Sequence, residues 1–316
     1  MFTGMPEGGA RYEDGGGAGR GATEGTAEAT SGGAAGRAEE VAARAGERAR
    51  AALAASRFAD VRWVATTGST NADAMALARR GEREGIVVVA DHQSAGRGRR
   101  DRTWVAPPGG SLLVSVLLRP PARVAGAVTM AAGVAMAGAV EQVAGVAAGL
   151  KWPNDLVVET GDGERKLAGI LAEADWPAGS TASAGYRPPG PHERAVVVVG
   201  VGLNVKWPEV PGELDRLATA LNLLGPDADR VELLVAFLRR LDEGYAALVA
   251  GGADELLDRW RARSITLGRR VRVDLGADDV EGTAVDVTAE GHLVVATDEG
   301  ARRTIAIGDV VHLRRV

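Results

Sequence analysis

The sequence predicts an α+β protein that ends in a small all-β domain, and three patterns carry this prediction. Apolar residues from Val231 to Leu248 fall on one helical face, which predicts a long amphipathic helix. Short apolar runs bounded by polar, glycine-rich turns predict buried strands in the middle of the chain. After Leu267, short alternating segments separated by Gly/Asp turns predict a β-barrel. With 316 residues, 46% of them hydrophobic, the chain can bury one large core and a small second one.

The first 56 residues predict a disordered tail or a frayed helix. Twelve glycines fall within the first 36 residues, and large apolar residues are nearly absent. Residues 34–55 have a helical composition, but their possible apolar face consists of Ala and Leu53. A segment without a core cannot offset the entropy of ordering it. We therefore expect a tail at 1–56, a main domain at 57–266 and a C-terminal domain at 267–316.

Strands and helices are expected to alternate along the main domain. Strands are predicted at residues 62–66, 86–91, 112–118, 156–158, 167–173 and 195–203. The run Thr70-Asn71-Ala72-Asp73 predicts a capping box that opens a helix through Arg80. Further helices are predicted at residues 124–146, 231–248 and 253–263. The turn Gly161-Asp162-Gly163 predicts a β-hairpin. In the C-terminal domain, strands are predicted at residues 270–275, 280–288, 292–297, 304–307 and 310–313.

Composition excludes several classes of protein. The chain has no cysteine, which excludes disulfides, thiolate catalysis and Cys-based zinc sites. Residues 124–146 form the longest apolar-leaning run, but it is mostly Ala and Gly and contains Glu141, which predicts a buried helix rather than a membrane span. Phosphate-loop, nucleophile-elbow and HExxH motifs are absent. The net charge of -5 counts against general nucleic-acid binding. With no secretory signal, a cytoplasmic location is expected.

The segment GRGRRDRTW at residues 96–104 carries the strongest chemical signal. Four arginines in six positions repel one another unless an anion joins them, and the interleaved glycines let backbone N–H groups approach that anion. A polyphosphate or a phosphoanhydride is the natural ligand, and Trp104 is suited to stack on a base or to pack the loop down. This segment alone leaves a solvated basic loop or a nonspecific nucleic-acid patch open as the alternative.

Three further segments place polar groups at the ends of predicted strands. In KWPND at residues 151–155, the proline restricts the preceding residue to an extended conformation, so that Asn154 and Asp155 have a fixed direction. The same three letters, PND, are also typical of an ordinary turn. KLAGILAE at residues 166–173 begins a strand with an ammonium group and has small residues that leave room for a ligand. GVGLN at residues 200–204 ends an apolar strand in two glycines and an amide.

Taken together and in order, four segments resemble the signature blocks of biotin protein ligases. They are GSTN at residues 68–71, QSAGRGR at 93–99, KWPND at 151–155 and KLAGIL at 166–171. The resemblance covers residues 62–316. It implies a catalytic domain related to class II aminoacyl-tRNA synthetases, a small C-terminal SH3-like β-barrel, and the monofunctional type without an N-terminal DNA-binding domain.

The resemblance also implies an activity. Such an enzyme is an ATP-dependent ligase, biotin--[biotin carboxyl carrier protein] ligase, which activates biotin as biotinyl-5'-AMP and transfers it to a lysine of a carrier domain of biotin-dependent carboxylases. ATP with Mg²⁺ and biotin are the implied substrates, and no resident metal is implied. No sequence-specific nucleic acid and no membrane partner are expected, and the oligomeric state expected is a monomer or a weak homodimer.

Site residues follow by position from the same resemblance. The biotin-binding set is Ser69, Thr70, Asn71, Gln93, Gly96, Arg97, Gly98, Arg99 and Lys166. The ATP-binding set is Arg99, Arg100, Arg102, Trp104, Asn154, Lys166 and Asn204. The catalytic set is Lys166, Arg97 and Asp155. Asp101 departs from the family pattern, because many relatives have Gly there.

The implied chemistry needs electrostatics more than proton transfer in its first step. A carboxylic acid with a pKa of roughly 4 to 5 is already ionised at neutral pH, so the cations must overcome the repulsion between two anions. In the second step the carrier lysine, with a pKa of about 10.4, has to lose a proton. Asp155 is the candidate acceptor, and metal binding or orientation of Lys166 are its alternative roles.

Two other functions remain as alternatives. A lipoate or octanoate ligase shares the implied fold, but the QSAGRGR block and the polar run at residues 69–71 favour biotin. A nucleic-acid-binding regulator would need a basic face and a recognition helix, and neither is evident in the sequence.

Overall fold

The computed structural model of the protein describes residues 25–100, 102–176, 190, 193–210, 212–214, 216–276, 279–306 and 308–312. The departure at Asp101 and most of the loop predicted after Trp176 lie outside these residues. Contacts divide the chain into two units, Met1–Ala38 and Glu39–Val316, so both predicted domains belong to the second unit. Their division at residues 266 and 267 stays a proposal.

Five α-helices, three short 3-10 helices and twelve strands are present in the described residues. The helices are α1 (Gly25–Ala52), α2 (Thr70–Arg79), α3 (Val128–Ala144), α4 (Arg230–Val249) and α5 (Ala253–Arg263). Seven strands belong to the first sheet: β1 (Val61–Thr67), β2 (Val87–Gln93), β3 (Ser111–Leu118), β4 (Gly149–Lys151), β5 (Asp155–Thr160), β6 (Gly163–Asp175) and β7 (Val196–Asn204). The second sheet contains β8 (Arg270–Asp274), β9 (Asp279–Val287), β10 (Leu293–Ala296), β11 (Arg302–Ile305) and β12 (Asp309–His312).

The first sheet has the strand order β1-β2-β3-β7-β6-β5-β4. β1 and β2 are parallel and are connected through α2, whereas all other neighbours are antiparallel. The strand predictions for the main domain are confirmed, and the predicted hairpin turn joins β5 to β6 with Thr160 opposite Gly163. β4, at the sheet edge, is a strand that the sequence analysis missed.

The two faces of the sheet are used differently. Alternate residues of β3, β6 and β7 on one face enter the large core shared with α3 and α4. On the opposite face α2 covers one half of β7, where Val196 and Val198 pack around Ala74. The remaining positions of β7 on that face are Gly200, Gly202 and Asn204, which line a cavity. Half of one sheet face is therefore open to a ligand.

Helix α3 lies in the core, as its composition predicted. Gly133 lets the helix approach the sheet, since a Cβ there would lie 3.2 Å from Leu150 Cδ2 and 3.4 Å from Ile170 Cδ1. Within the described residues, Ala122–Ala144 is the one helical stretch long and apolar enough to cross a membrane, and 72% of its apolar window is buried inside the protein. This stretch is therefore a core helix.

The second sheet has the order β11-β10-β9-β8-β12 and is antiparallel throughout. All five strands predicted for the C-terminal domain are present. The sheet is fixed to the first one through Glu164, whose Oε1 accepts a hydrogen bond from Arg269 and lies 2.8 Å from His312 Nδ1. Trp152 Nε1 also donates to the carbonyl of Gly291 over 2.9 Å. These contacts hold the second sheet against β4, β5 and β6.

The prediction of a tail up to residue 56 is wrong for the segment that begins at Glu39. This segment is helical to Ala52, and Ala42, Ala49 and Leu53 are buried in the large core. The residue spacing places these three side chains on one face, and small residues allow that face to approach β1 closely. The segment has no core of its own, but its buried side chains pack into the large core of the main domain.

The predicted capping box before α2 is also wrong. The N-cap residue is Ser69, whose side chain makes no capping hydrogen bond in the described structure. The Thr70 hydroxyl instead lies 2.9 Å from Gln93 Oε1, and Asp73 accepts a hydrogen bond from the Thr67 hydroxyl over 2.5 Å. The polar residues at this helix start therefore bond to neighbouring strands rather than to the helix's own backbone.

Two shortened chains should distinguish the contributions of the two parts of α1 to stability. A chain starting at Glu39 is expected to keep its free energy of unfolding within about 1 kcal/mol, whereas a chain starting at Arg57 is expected to lose about 3 kcal/mol or more, since the core loses Leu53 and two alanines. Urea unfolding followed by circular dichroism measures both values. Equal stability of the two shortened chains would contradict the packing of α1.

The contact between the sheets should be sensitive to acid through His312. Burial lowers the pKa of His312 below its usual value of 6.5, while the hydrogen bond to Glu164 opposes the shift. The unfolded chain then binds more protons, so the stability from neutral His312 is complete above pH 6.5 and is lost as the pH falls towards the folded-state pKa.

His312→Gln should therefore flatten the fall in unfolding free energy between about pH 7 and 5, by at most about 1.4 kcal/mol per pH unit. His292→Gln, in a turn of the same sheet, is the matched control and should keep the slope of the unmodified protein. Urea titrations across this pH range measure how the free energy of unfolding changes with pH. Identical slopes for all three proteins would refute the role of His312 in this pH dependence.

Candidate active site

A cavity of about 530 Å³ lies between the open half of the first sheet, the arginine loop (residues 96–104) and the edge of the second sheet. The four signature segments are far apart in the chain and meet here. The predicted site residues that line the cavity are Ser69, Thr70, Asn71, Gln93, Arg97, Gly98, Arg99, Arg102, Trp104, Asn154, Asp155, Lys166 and Asn204. Gly96 and Arg100 are the two that do not line it.

The floor of the cavity is made by rows of residues across β3, β7 and β6. Ser115 pairs with Gly200, which pairs with Leu171, and in the next row Leu113 pairs with Gly202, which pairs with Gly169. Positions two apart on a strand point to the same face and are about 6.8 Å apart. Glycines at these positions leave a trough along the sheet.

Trp104 lies in this trough. A Cβ on Gly202 would be 2.6 Å from Trp104 Cε2, and one on Gly169 would be 2.9 Å from Cζ3. Lys166 Nζ lies 5.5 Å from the centre of the Trp104 ring, within the range of a cation-π contact. The indole therefore packs against bare backbone and beneath an ammonium group, and its position depends on both glycines.

A buried polar network forms one end of the cavity. The backbone N–H of Thr70 donates to Gln93 Oε1 over 2.7 Å, which leaves the Gln93 amino group to face the cavity. Ser115 donates to Asn71 Oδ1 over 2.6 Å, and Asn71 Nδ2 donates to Glu173 Oε2 over 2.8 Å. With its side-chain groups fixed in this way, this end presents polar groups in definite directions.

Arg97 lies at the same end. Its Nη2 donates to Glu173 Oε2 over 3.2 Å, and its side chain is half exposed. Glu173 thus receives hydrogen bonds from both Asn71 and Arg97. It was quoted within a strand segment in the sequence analysis but was given no role.

Lys166 and Asp155 form an ion pair near the middle of the cavity. Lys166 Nζ lies 2.7 Å from Asp155 Oδ1, and about a third of each side chain is exposed. The pair is placed by the β5-β6 hairpin and by the backbone of Lys166, which bonds to Leu217 and Thr219 on either side. Asn154 is held by its Nδ2, which donates to the carbonyl of Ile170 over 2.7 Å. An ammonium group is therefore fixed in position and accessible from the cavity.

The arginine loop folds as a tight hairpin. Gly98 N–H donates to the carbonyl of Arg102 over 2.6 Å, Trp104 N–H donates to that of Gly96 over 2.9 Å, and Arg97 faces Thr103 in a short bridge. Gly96 has no room for a side chain, because a Cβ there would lie 2.5 Å from the carbonyl oxygen of Trp104. The approach of the loop's N–H groups to an anion stays a prediction.

Arg99 points inwards from this hairpin. Burial lowers its pKa, and the neighbouring carboxylates of Asp309 and Asp155 oppose the shift. Its Nη1 lies 3.4 Å from both Asn154 Oδ1 and the carbonyl of Gly308. A guanidinium that is four-fifths buried and has only long contacts is suited to bind an anion.

Three buried polar atoms of cavity-lining residues have no hydrogen-bond partner among the described residues. One is Asp155 Oδ1, which forms the ion pair with Lys166. The other two, Trp104 Nε1, a donor, and Asn204 Oδ1, an acceptor, have no partner of either kind among these residues. Such groups are costly in a folded protein unless a ligand or water satisfies them. They add one donor and one acceptor to what the cavity offers.

Several cavity residues were not foreseen from the sequence. Trp207, Leu214, Ala218, Asp309 and Val310 line the cavity, and Ser115 supports its polar end. Ser115 had a detectable signal, since it is a lone polar residue within an apolar strand. The others come from segments without a motif, and only the fold brings them to the site.

Comparisons with known proteins relate this chain to one protein family. Residues 65–184 match the Biotin/lipoate A/B protein ligase family, and residues 266–313 match the Biotin protein ligase C terminal domain. The chain is 40% identical to the Biotin--[acetyl-CoA-carboxylase] ligase of Mycobacterium tuberculosis, over 79% of this chain and 88% of that protein. It is 30% identical to the Bifunctional ligase/repressor BirA of Bacillus subtilis, over 74% of this chain and 69% of the relative.

The solved structures include the biotin protein ligase from Aquifex aeolicus in complex with biotin and ATP. It is 27% identical to this chain, covers 82% of it and 100% of its own length, and superposes with a TM-score of 0.65. The predicted fold, a class II synthetase-like domain with a small SH3-like C-terminal domain, is consistent with this likeness.

Gly200→Ala should disrupt the polar end of the site. The new Cβ would lie 2.1 Å from Asn71 Oδ1, so the buried amide must leave its hydrogen bonds, at a cost of about 1 to 3 kcal/mol in unfolding free energy. Gly161→Ala is the control, because a Cβ there meets nothing within 4 Å. Urea unfolding of both variants measures the difference, and equal stabilities would contradict the described network.

Proposed function

The chain belongs to the biotin protein ligase family, and we propose that the cavity beneath the arginine loop carries out both steps of its reaction. In the first step, biotin is activated with ATP as biotinyl-5'-AMP. In the second, the biotinyl group passes to a lysine of a biotin carboxyl carrier domain. The lipoate or octanoate alternative is disfavoured for two reasons. The Mycobacterium tuberculosis relative and the Aquifex aeolicus structure are named as biotin ligases. The polar end of the cavity also offers directed hydrogen bonds that an apolar dithiolane ring would leave unpaired.

The observation that carries this assignment is the order of chemical groups along the trough. The row at Ser115 and Gly200 has the polar network. The row at Gly202 and Gly169 is covered by the apolar indole of Trp104, with Lys166 beside it. Arg99 lies near Asn154. A molecule with a polar ring, an apolar chain and a carboxylate fits this order. We place the ureido ring of biotin at Ser69, Thr70 and Gln93, and its carboxylate at Lys166.

In the first step a carboxylate oxygen of biotin attacks the α-phosphorus of ATP, and the bond from that phosphorus to pyrophosphate breaks. Both reactants are anions, so the residues must neutralise charge and align the groups. We assign this work to Lys166 and Arg99, and Asp155 orients the ammonium through the 2.7 Å ion pair. Arg97 can help to neutralise this charge only after its hydrogen bond to Glu173 is broken.

In the second step the ε-amino group of the carrier lysine attacks the carbonyl carbon of the adenylate, and AMP leaves. The amine loses a proton in this step, and a nearby carboxylate helps by accepting it. Asp155 is the carboxylate that lines the cavity beside Lys166. Because Asp155 Oδ1 already contacts the ammonium of Lys166, we favour a role for Asp155 in orienting Lys166 over a role as metal ligand. We assign acceptance of the proton to its other oxygen, Oδ2.

ATP enters as its Mg²⁺ complex, with the metal held chiefly by phosphate oxygens. The nucleotide is placed between Trp104, Asn154 and Asn204, where the unpartnered indole N–H and amide oxygen supply hydrogen bonds. We further propose a cytoplasmic enzyme that acts as a monomer or weak homodimer, with the carrier domain of a biotin-dependent carboxylase as its partner and no sequence-specific nucleic acid.

Isotope exchange between pyrophosphate and ATP tests the function directly. We expect exchange that depends on free biotin and that lipoate or octanoate at the same concentration does not support. Exchange with octanoate but not with biotin would favour the alternative ligase, and no exchange with any of the three acids would refute adenylate formation.

Lys166→Arg should be severely impaired although the charge is kept. A planar, longer guanidinium cannot keep the compact contact with Asp155 and meet the carboxylate of biotin, so we expect a loss of about 2 kcal/mol in transition-state stabilisation, about thirtyfold in the exchange rate. Lys206→Arg is the matched control, since that lysine is exposed and pairs with Asp227 away from the cavity. Near-normal exchange by Lys166→Arg would remove Lys166 from the reaction.

A further inference from the structure

Three of the four arginines of the arginine loop converge on one carboxylate of the second sheet. Asp309, at the start of β12, lies 3.4 Å from Arg100 Nη1 and 4.0 Å from Arg99 Nη1, and it accepts a close hydrogen bond from Arg102 Nη2. Its side chain is 23% exposed. Arg100 also lies 3.6 Å from Asp274, on the neighbouring strand β8. The second sheet therefore supplies the carboxylates that face these three arginines, whereas Arg97 pairs with Glu173 of the first sheet.

The three arginines are used differently. Arg100 has a φ of 53°, does not line the cavity and directs its guanidinium to the two aspartates. Arg102 is the most exposed of the three, at 70%, and has the closest contact with Asp309. Arg99 is 22% exposed and has the longest distance to Asp309. Arg100 and Arg102 are thus paired with the sheet, whereas Arg99 is buried towards the cavity with its charge weakly compensated.

The tight hairpin links these two roles. Arg102 N–H donates to the carbonyl of Arg99 over 3.2 Å, and Gly98 N–H donates to that of Arg102, so the arginines lie in one short turn. Once Arg100 and Arg102 are fixed on the sheet, the direction of Arg99 is fixed as well. Three guanidinium groups against the carboxylates of Asp274 and Asp309 leave one positive charge, which suits a phosphate.

We propose that Asp309 is a positioning residue that docks the arginine loop on the second sheet through Arg100 and Arg102, and thereby holds Arg99 over the phosphate end of the cavity. This inference rests on the proposed function, and it changes the expected role of two residues. Arg100 and Arg102 act by anchoring the loop rather than by contacting the nucleotide. The C-terminal domain then completes the site, although it supplies none of the predicted catalytic residues.

Limited proteolysis tests the docking without any substrate. Trypsin cleaves after arginine, so a loop released from the sheet becomes a substrate for it. In Asp309→Asn we expect cleavage within residues 96–104 to be about tenfold faster than in the unmodified protein, as for the loss of a partly buried, hydrogen-bonded ion pair. Asp298→Asn is the matched control, because it removes an ion pair of the same sheet that involves only Arg270. Equal cleavage rates in the two variants would overturn the proposal.

Kinetics separate positioning from general stability. For Asp309→Asn we expect the KM for ATP to rise about tenfold and biotinyl-AMP to dissociate faster, while the thermal midpoint and the binding of biotin alone stay unchanged. Asp309→Glu, which keeps the charge, should restore most of the affinity for ATP. Tighter ATP binding by Asp309→Asn would instead mean that the carboxylate competes with phosphate, and a parallel fall in stability and in all kinetic parameters would mean a structural role. Either result contradicts the proposal.

A second variant covers the case in which Asp309→Asn does not fold. Arg100→Gln combined with Arg102→Gln removes the anchors from the loop side and should reproduce the faster cleavage and the higher KM for ATP. Unchanged cleavage of this double variant at its remaining arginines would overturn the proposal. If the unmodified protein showed no biotin-dependent exchange, the proposed function would fail, and the proteolysis result would still decide the docking.

Discussion

The site depends on the register of β3, β7 and β6. A strand pairing in which Gly202 lies opposite both Leu113 and Gly169 leaves two neighbouring positions of the floor without side chains. Gly200, which pairs with Ser115, leaves space for the Asn71 amide. A shift of one residue would turn the apolar residues of β7 towards the cavity and the glycines towards α3. The large core under the opposite face therefore fixes the position of the trough, because the same alternation serves both faces.

The basic side chains around this trough differ in how closely each is paired with a carboxylate. Lys166 is paired closely with Asp155, Arg97 with Glu173, and Arg102 with Asp309, whereas Arg99 has only long contacts. Close pairs fix side chains in place, and the weakly compensated group keeps capacity for an incoming anion. This arrangement makes the cavity suited to bind a polyanion.

The sequence predicted most strands and the main helices, because their apolar periodicity reflects burial on one or both faces. Four short blocks with a specific order also predicted segments that line the cavity. Sequence-based prediction failed at α1, where alanines are buried in a large core that other segments of the chain form. It also failed at Thr70, where residues that match a capping pattern bond to neighbouring strands instead. Asp309 and Ser115 could not be assigned roles, because their contacts arise from chain segments more than forty residues away.

The structure of the protein with biotinyl-5'-AMP bound is the most direct test of this account. We predict that the ureido ring lies within hydrogen-bond distance of Gln93 and Ser69, and that Lys166 and Arg99 both contact the mixed anhydride or its phosphate. Arg100 and Arg102 are predicted to stay on Asp309 in that complex. An adenylate bound outside the trough, or within it but without contact to Lys166, would contradict the account.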